Sequence, residues 1–386
     1  MPETNNFEHA RRIVWALFLL NGLMFSTWAV LVPAFQERFG LRPAELSYQL
    51  FAIMLGNLLA LPIARGLLQG SGLKVTTFWS VLLMGLGLLG AAVLPSATFT
   101  GLALLVYGVG FGGVDFSMNA AGAWLEEKLE RPIMSGLHAA FSVGTLIGAG
   151  VGAVLLHLKL GFTLHLGGVA LLGLMAGVVV TAGLPFFRSA APGEQRHFPV
   201  TRPLLLLLFA GFAAALGEGV INDWASVYLR SHGMTLAEAS RGFLLFSLTM
   251  VIGRLSGDYL TRALGRTRLA ASATLLGVLG LALSILAPIS ELKLAGFTLA
   301  GLGISVLAPL AFSAAWEHAE ARGIALMTAC FYGGFLAGPP VTGFIVEHAA
   351  YRATFVLPAF LLLLALLFIT QHIYEPPEGE SHRKGQ

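Results

Sequence analysis

The chain has 386 residues, of which 56% are hydrophobic and only 11% charged, with 47 glycines and a mean hydropathy of +0.79. Soluble proteins carry about 25% charged residues, so this shortage of surface-forming side chains excludes a water-facing globule and makes lipid the main solvent. The net charge of +3 does not signal nucleic acid, because the basic residues stand singly between apolar runs; one cysteine, Cys330, excludes an internal disulfide and a Cys-rich metal site.

A membrane-crossing helix needs about 20 mainly apolar residues. In chain order, twelve windows meet that requirement: 13–34, 46–68, 74–94, 98–123, 133–157 and 161–187, then 203–229, 240–262, 267–289, 294–316, 323–346 and 352–373. Length and glycine content fit helices rather than the alternating strands of a barrel, so the predicted fold is an all-α membrane protein with twelve transmembrane helices. The first window follows Arg11 and Arg12 and continues into many more spans, which predicts a retained helix rather than a cleaved signal. Pro132 stands at a good first helical position for the fifth.

Of the 23 basic residues, sixteen fall on the side of the N-terminus and seven on the other. The positive-inside rule therefore predicts cytoplasmic termini. The longest polar interruption, 188–202, carries Pro192, Gly193, Glu194 and Pro199 and reads as a cytoplasmic linker. It divides the chain into a six-helix half at 1–187 and another at 203–373, followed by a cytoplasmic tail at 374–386.

The halves repeat. A shift of 193 residues matches Gly40 with Gly233, Ala44 and Glu45 with Ala237 and Glu238, Gly72 with Gly265, Gly108 with Gly301, and Gly110 with Gly303. A shift of 190 matches Phe141, Gly144 and Gly148 with Phe331, Gly334 and Gly338. Six-helix repeats of this kind are the major facilitator arrangement, with a solute site near the midplane at the repeat interface.

The run "GRLSGDYLTRALGR", Gly253 to Arg266, is similar to the signature that the major facilitator superfamily carries after the second helix of each half. The chain resembles that superfamily over essentially its whole length. "VLVPAFQ", Val30 to Gln36, and the Asp115-x-x-x-Asn119 spacing resemble its fucose and hexose proton-symporter branch and that branch's bacterial relatives. The branch's acid before the first run corresponds to Ala29 here. The resemblance implies a bacterial inner-membrane transporter acting as a monomer, with a small-molecule solute and protons as partners and no cofactor or metal. For Arg254, Asp258, Arg262 and Arg266 two readings stand, a cytoplasmic gate and plain basic anchoring. In the first half Arg65 occupies the place of the acid.

Asp115 and Asn119 lie four apart, on one helix face that Gly108, Gly112 and Gly122 keep narrow. A carboxylate partly stripped of water can exchange a proton reversibly near working pH, which suits proton coupling; a structural ion pair is the alternative. In "ALGEGVINDWASVYL", Glu218 and Asn222 repeat the spacing, with Asp223 and Trp224 following. Glu218 is expected past the midplane toward the outside, as a proton site compensating for Ala29. His138, Ser142 and Thr145 form one stripe of the fifth span, where His138 is either a packing residue or a solute contact or proton relay. Trp28 and Trp224 suit stacking on a sugar-like ring, or an interfacial belt. Asn21, Asn57 and Tyr332 complete the polar groups at membrane depth. The expected function is proton-coupled symport of a small polar solute, sugar-like, by alternating access. The alternatives are a proton-driven exporter of amphipathic compounds and a non-transporting sensor.

Overall fold

The computed structural model describes residues 2–129, 133–187 and 200–369. Its elements are all helical: α1 Pro2–Phe39, α2 Pro43–Gly70, α3 Leu73–Val93, α4 Ala97–Leu129, α5 Met134–His157, α6 Phe162–Ala182, α7 Arg202–Ser231, α8 Leu236–Leu264, α9 Arg266–Leu286, α10 Ser290–Ile304, α11 Leu307–His348 and, after a 3-10 turn at Tyr351–Phe355, α12 Val356–Ile369. Among the described residues, twelve helical segments are long and apolar enough to cross a membrane. Most of the expected linker, residues 188–199, Pro132 and the tail at 374–386 lie outside the described residues.

The tenth and eleventh spans depart from the expected pattern of two helices joined by a loop. The tenth is broken at Ser305 and Val306, and α11 then carries the rest of it and the whole eleventh span. The backbone of Gly323 lies against the carbonyl of Ala315, eight residues away. A straight helix would separate them by about 12 Å, so the element folds back on itself there.

Contacts cluster the described residues into two compact units, those up to 187 with 235–240, and 200–234 with 241–369. In the first, α1 packs on α4, α5 and α6, α2 on α4, and α3 on α4 and α6; in the second, α7 packs on α10, α11 and α12, and α9 on α10 and α12.

The repeat has a structural reason at most of the matched glycines and at the matched glutamates. Gly40 and Gly233 precede α2 and α8, and Gly72 and Gly265 precede α3 and α9; all four have positive φ, between 60° and 88°, a region that costs a Cβ-bearing residue energy. Glu45 accepts the Arg42 backbone N–H at 2.9 Å, and Glu238 accepts that of Thr235 at 2.9 Å, so the matched glutamates are helix-start caps. Close approaches recur as well. A Cβ on Gly108 would meet the carbonyl of Ile53, and one on Gly301 that of Phe246; one on Gly144 would meet the carbonyl of Leu19, and one on Gly334 that of Phe212. Each contacted residue pair also differs by 193. With no hydrophobic drive between helices in lipid, such backbone-to-backbone packing is the main cohesion.

Several hydroxyl groups inside the spans satisfy themselves locally. Thr76, Ser80, Ser117, Thr181 and Thr274 each donate to the carbonyl four residues earlier, at 2.7 to 2.9 Å. At the end of α3, Arg38 donates to the carbonyl of Ala92 at 2.6 Å and lies 5.0 Å from the Phe162 ring, supplying the cation that a helix C-terminus favours.

Candidate functional site

Thr201 and Pro203 start α7: the threonine hydroxyl accepts the Leu204 N–H, and proline at the second position lacks only a donor that has no partner within the helix there. From Ala213 to Leu229 every residue of this helix is buried except Glu218, Asn222 and Asp223. The accessible surface of an otherwise enclosed apolar helix is therefore entirely polar. Glu218 and Asn222 share a face, one turn apart.

Glu218 is not alone. Its Oε1 accepts a hydrogen bond from Arg254 Nη2 of α8 at 3.2 Å, with the two side chains 16% and 30% exposed. Glu218 stands about 24 Å along a helix of about 45 Å, and Arg254 about 15 Å from the end of α8, at 1.5 Å per residue. Both are near the middle of their spans. Glu218 lies just past the middle of α7, whereas Arg254 does not sit at the end of α8. Nine residues of helix separate Arg254 from Leu264, and α8 closes on α10 at Gly253, whose position faces Ser305. Of the other expected gate residues, Arg266 donates to Glu317 of α11 at 2.5 Å, while Asp258 and Arg262 are exposed.

The first unit holds a comparable stripe on α4. From Gly110 to Gly122 only Asp115, Phe116, Asn119 and Ala120 keep accessible surface. The Asn119 amide donates to the Asp115 carbonyl at 2.8 Å and reaches its carboxylate at 3.5 Å, so the pair is clipped together along the helix. Asn21 of α1 is wholly buried: its amide meets Met118 Sδ at 3.6 Å and its Oδ1 has no partner. Asn57 of α2 is buried with its Oδ1 unpaired, turned toward Gly112. Buried polar atoms without partners are uncommon, and they mark places where a ligand or water can supply one.

His138 is exposed and meets Phe18 edge-on at 5.3 Å between ring centroids. Ser142 is buried with its hydroxyl on the His138 carbonyl, and Thr145 bonds the Phe141 carbonyl. Those hydroxyls are thus engaged by their own helix. Tyr332 is half-buried. Trp28 and Trp224 are 2% and 0% exposed, each with an unpaired indole N–H, and Trp28 packs edge-on against Phe35 at 5.2 Å. Neither presents an open ring face to a solute in this state, nor does either lie in an exposed interfacial belt.

One polar cluster escaped the sequence reading. Lys293 is 3% exposed; its Nζ donates to Tyr228 Oη at 2.9 Å, Tyr228 Oη donates to the Ser284 carbonyl at 2.8 Å, and Ser284 Oγ donates to the Lys293 carbonyl at 3.1 Å. In sequence Lys293 reads only as a loop cation near a span boundary. Its burial depends on α7, α9 and α10 meeting around it.

The family profile described as Major Facilitator Superfamily matches residues 14–324 and 207–386. An uncharacterised MFS-type transporter of Yersinia pestis is 32% identical over 352 residues, covering 90% of this chain and 91% of that protein. An uncharacterised transporter of Sinorhizobium fredii is 31% identical, covering 92% and 96%. Among solved structures, the nucleoside transporter NupG superposes with a TM-score of 0.74 at 12% identity, over 95% of this chain and all of NupG. A D-xylose-proton symporter gives 0.73 at 14%, over 94% and 96%, and the MFS transporter FucP in its outward conformation gives 0.65 at 18%, over 95% and 99%. At these identities the superpositions establish the fold alone.

Proposed function

The chain belongs to the major facilitator superfamily and is an integral membrane transporter rather than an enzyme; from that premise we propose that it is a proton-coupled symporter of a small polar, sugar-like solute. The observation that carries the reading is the restriction of accessible surface on the inner stretches of α7 and α4 to two acid-x-x-x-Asn pairs and their immediate neighbours. A carboxylate at membrane depth is costly to keep, by about 2.5 to 3.5 kcal/mol on insertion scales, and its default role is in an ion or proton pathway. Asp115 and Glu218 are the proton-carrying candidates in this reading. Asn119, Asn222, His138 and Tyr332 supply hydrogen bonds to the solute, and Asn21 offers an unpaired oxygen if the α1 to α4 contact loosens during transport. Operation as a monomer in a bacterial inner membrane, with both termini cytoplasmic, belongs to the same proposal; the orientation rests on the distribution of basic residues.

The test is transport in proteoliposomes with a panel of sugars. Wild-type protein should accumulate its solute when an inward proton gradient is imposed. Glu218→Gln and Asp115→Asn should each abolish accumulation while leaving solute exchange measurable. Accumulation that persists in both variants, or that ignores the proton gradient, refutes the coupling assignment. Counterflow of an amphipathic compound without sugar exchange would favour export.

A further inference from the structure

One acid of α7 stands apart from the pairs already described. We propose that Asp223 is a proton-binding residue of the transport cycle: it lies on the face of α7 that packs on α11, and the proton it takes up or gives back closes or loosens that helix contact. The inference rests on the proton-symport reading and adds to it a residue and the pair of helices on which the proton acts.

Helix periodicity fixes the face. Phe212, Ala215, Leu216 and Gly219 meet Gly334 or Phe335 of α11, and Val220 meets Gly338. Asp223 follows Leu216 by seven residues and Gly219 by four, so it continues that stripe, whereas Asn222 and Glu218 point about 100° and 140° away from it. The internal repeat gives the same placement. A shift of 193 sets Asp223 on Val30, whose side chain a Cβ on Gly152 of α5 would meet at 2.9 Å. The first half therefore closes this contact with a valine on a glycine. In the second half Asp223 stands for the valine, and the shift of 190 sets Thr342 on the glycine and Pro339 and Pro340 on Ala149 and Gly150. Both prolines lie inside α11, within one turn of Thr342, and each removes an N–H from the helical ladder. The substitutions gather at one contact: a carboxyl group on α7 and, opposite it, a stretch of α11 able to bend.

Asp223 also differs from Glu218 in its company. Among the described residues it makes no hydrogen bond or ion pair, and no charged side chain acts on its half-buried carboxyl group. The titratable groups on neighbouring elements lie elsewhere. Arg254 of α8 is on Glu218, Lys293 of α10 is on Tyr228, and Arg352 of the 3-10 turn acts on His232 beyond the end of α7. The α12 helix carries none; on α11, Tyr332 lies about 15 Å before Thr342, while Glu347 and His348 follow it on other faces. Asp223 stands about 10 Å from the middle of α7, so a hydrocarbon layer about 30 Å thick centred there includes it. An ionised carboxylate at that depth has no counter-charge to offset its lost hydration. A proton cancels the charge. It arrives from water on one side, forms an O–H bond on a carboxyl oxygen and returns to water on the other side as that bond breaks; no other bond changes. Neutral Asp223 packs on α11 as Val30 packs on α5. Ionised, it draws water into the contact, and α11 bends away at the prolines.

The experiment begins with infrared pH-difference spectra of the detergent-purified full-length protein. A carboxyl C=O band that grows on acidification should be present in wild type, absent in Asp223→Asn and recovered in Asp223→Glu, which keeps the titrating group and controls for misfolding. Spectra that Asp223→Asn leaves unchanged overturn the proton site. The effect on α11 is read with Val220→Cys and Gly338→Cys in a Cys330→Ala background, because a Cβ on Gly338 would lie 3.5 Å from the Val220 side chain. At each pH the rate of thiol cross-linking is compared with and without Asp223→Asn, which cancels the titration of the thiols themselves. Protein with Asp223 should match the Asn variant in acid and fall severalfold behind it as pH rises; a constant ratio overturns the effect on α11. Proteoliposomes with an internal pH dye and the sugar panel separate this inference from the reading beneath it. Asp223→Asn should lose solute-driven proton entry, and Asp223→Glu should retain it in part. Proton entry undiminished in Asp223→Asn removes Asp223 and leaves symport standing; no proton entry in wild type under any solute removes the symport reading and the transport role of Asp223 with it.

Discussion

Breaking the Glu218–Arg254 pair gives the sharpest test of its energetic role. At 3.2 Å the Coulomb attraction is about 5 kcal/mol at an effective dielectric near 20, before desolvation and before discounting the 16% and 30% exposure of the partners. A net coupling of about 1 to 3 kcal/mol is therefore expected from a double-mutant cycle. The single variants should differ. Glu218→Gln leaves an arginine that no proton exchange can neutralise, whereas Arg254→Gln leaves a glutamate that a proton can. The first should cost about 1 to 3 kcal/mol and the second less, with the double variant more stable than the sum predicts. The assay is reversible unfolding of the purified protein in mixed micelles of increasing denaturing-detergent fraction, for wild type, both singles and the double. Additivity within about 0.5 kcal/mol, or a larger cost for Arg254→Gln, would refute the view that the pair is a mutually compensating charge unit.

Gly144→Val should force α1 away from α5 at the Leu19 carbonyl, and Gly334→Val should do the same to α7 and α11 at Phe212; each should cost about 1 to 3 kcal/mol, read as a lower midpoint in the same micelle titration. Gly150→Val, where a Cβ meets nothing, is the control and should be nearly silent. Tyr228→Phe removes the hydroxyl that joins Lys293 Nζ to the Ser284 carbonyl and should cost about 1 to 3 kcal/mol, a value that the same titration of Lys293→Met and the double variant would apportion. His232, which closes α7, is held below its ordinary value near 6.5 chiefly by burial and further by the Lys293 and Arg352 charges, against the Tyr228 carbonyl, which favours its protonation. The unfolded chain then takes up the proton first, so the stability tied to this residue is present above about pH 6.5 and falls as pH drops below it. His232→Gln should flatten that part of a melting-temperature profile against pH; an unchanged slope would assign it elsewhere.

The membrane class, the twelve spans and the internal repeat were all legible in the linear chain, because each rests on local physics. Backbone groups in lipid must bond within their own segment, so an apolar run of sufficient length is a helix whatever surrounds it. Gly72 and Gly265 occur together because each precedes a helix at a φ that disfavours side chains, and Glu45 and Glu238 because each caps its own helix start. The polar spacing of Asp115 with Asn119 and of Glu218 with Asn222 was equally plain, since residues four apart share a helix face.

What the chain could not disclose was which residues separated by many positions would meet, because that depends on the rotation and closeness of packed helices. Arg254 reads as one more basic residue near a helix end until Gly253 lets α8 approach α10 and the guanidinium is found on Glu218, 36 positions earlier. Lys293 reads as a loop cation until α7, α9 and α10 enclose it. Trp28 and Trp224 read as ring platforms until packing buries both. Local bonding dictates the helices, whereas the contacts among them arise from many weak packing terms summed across the bundle, and only the assembled structure performs that sum.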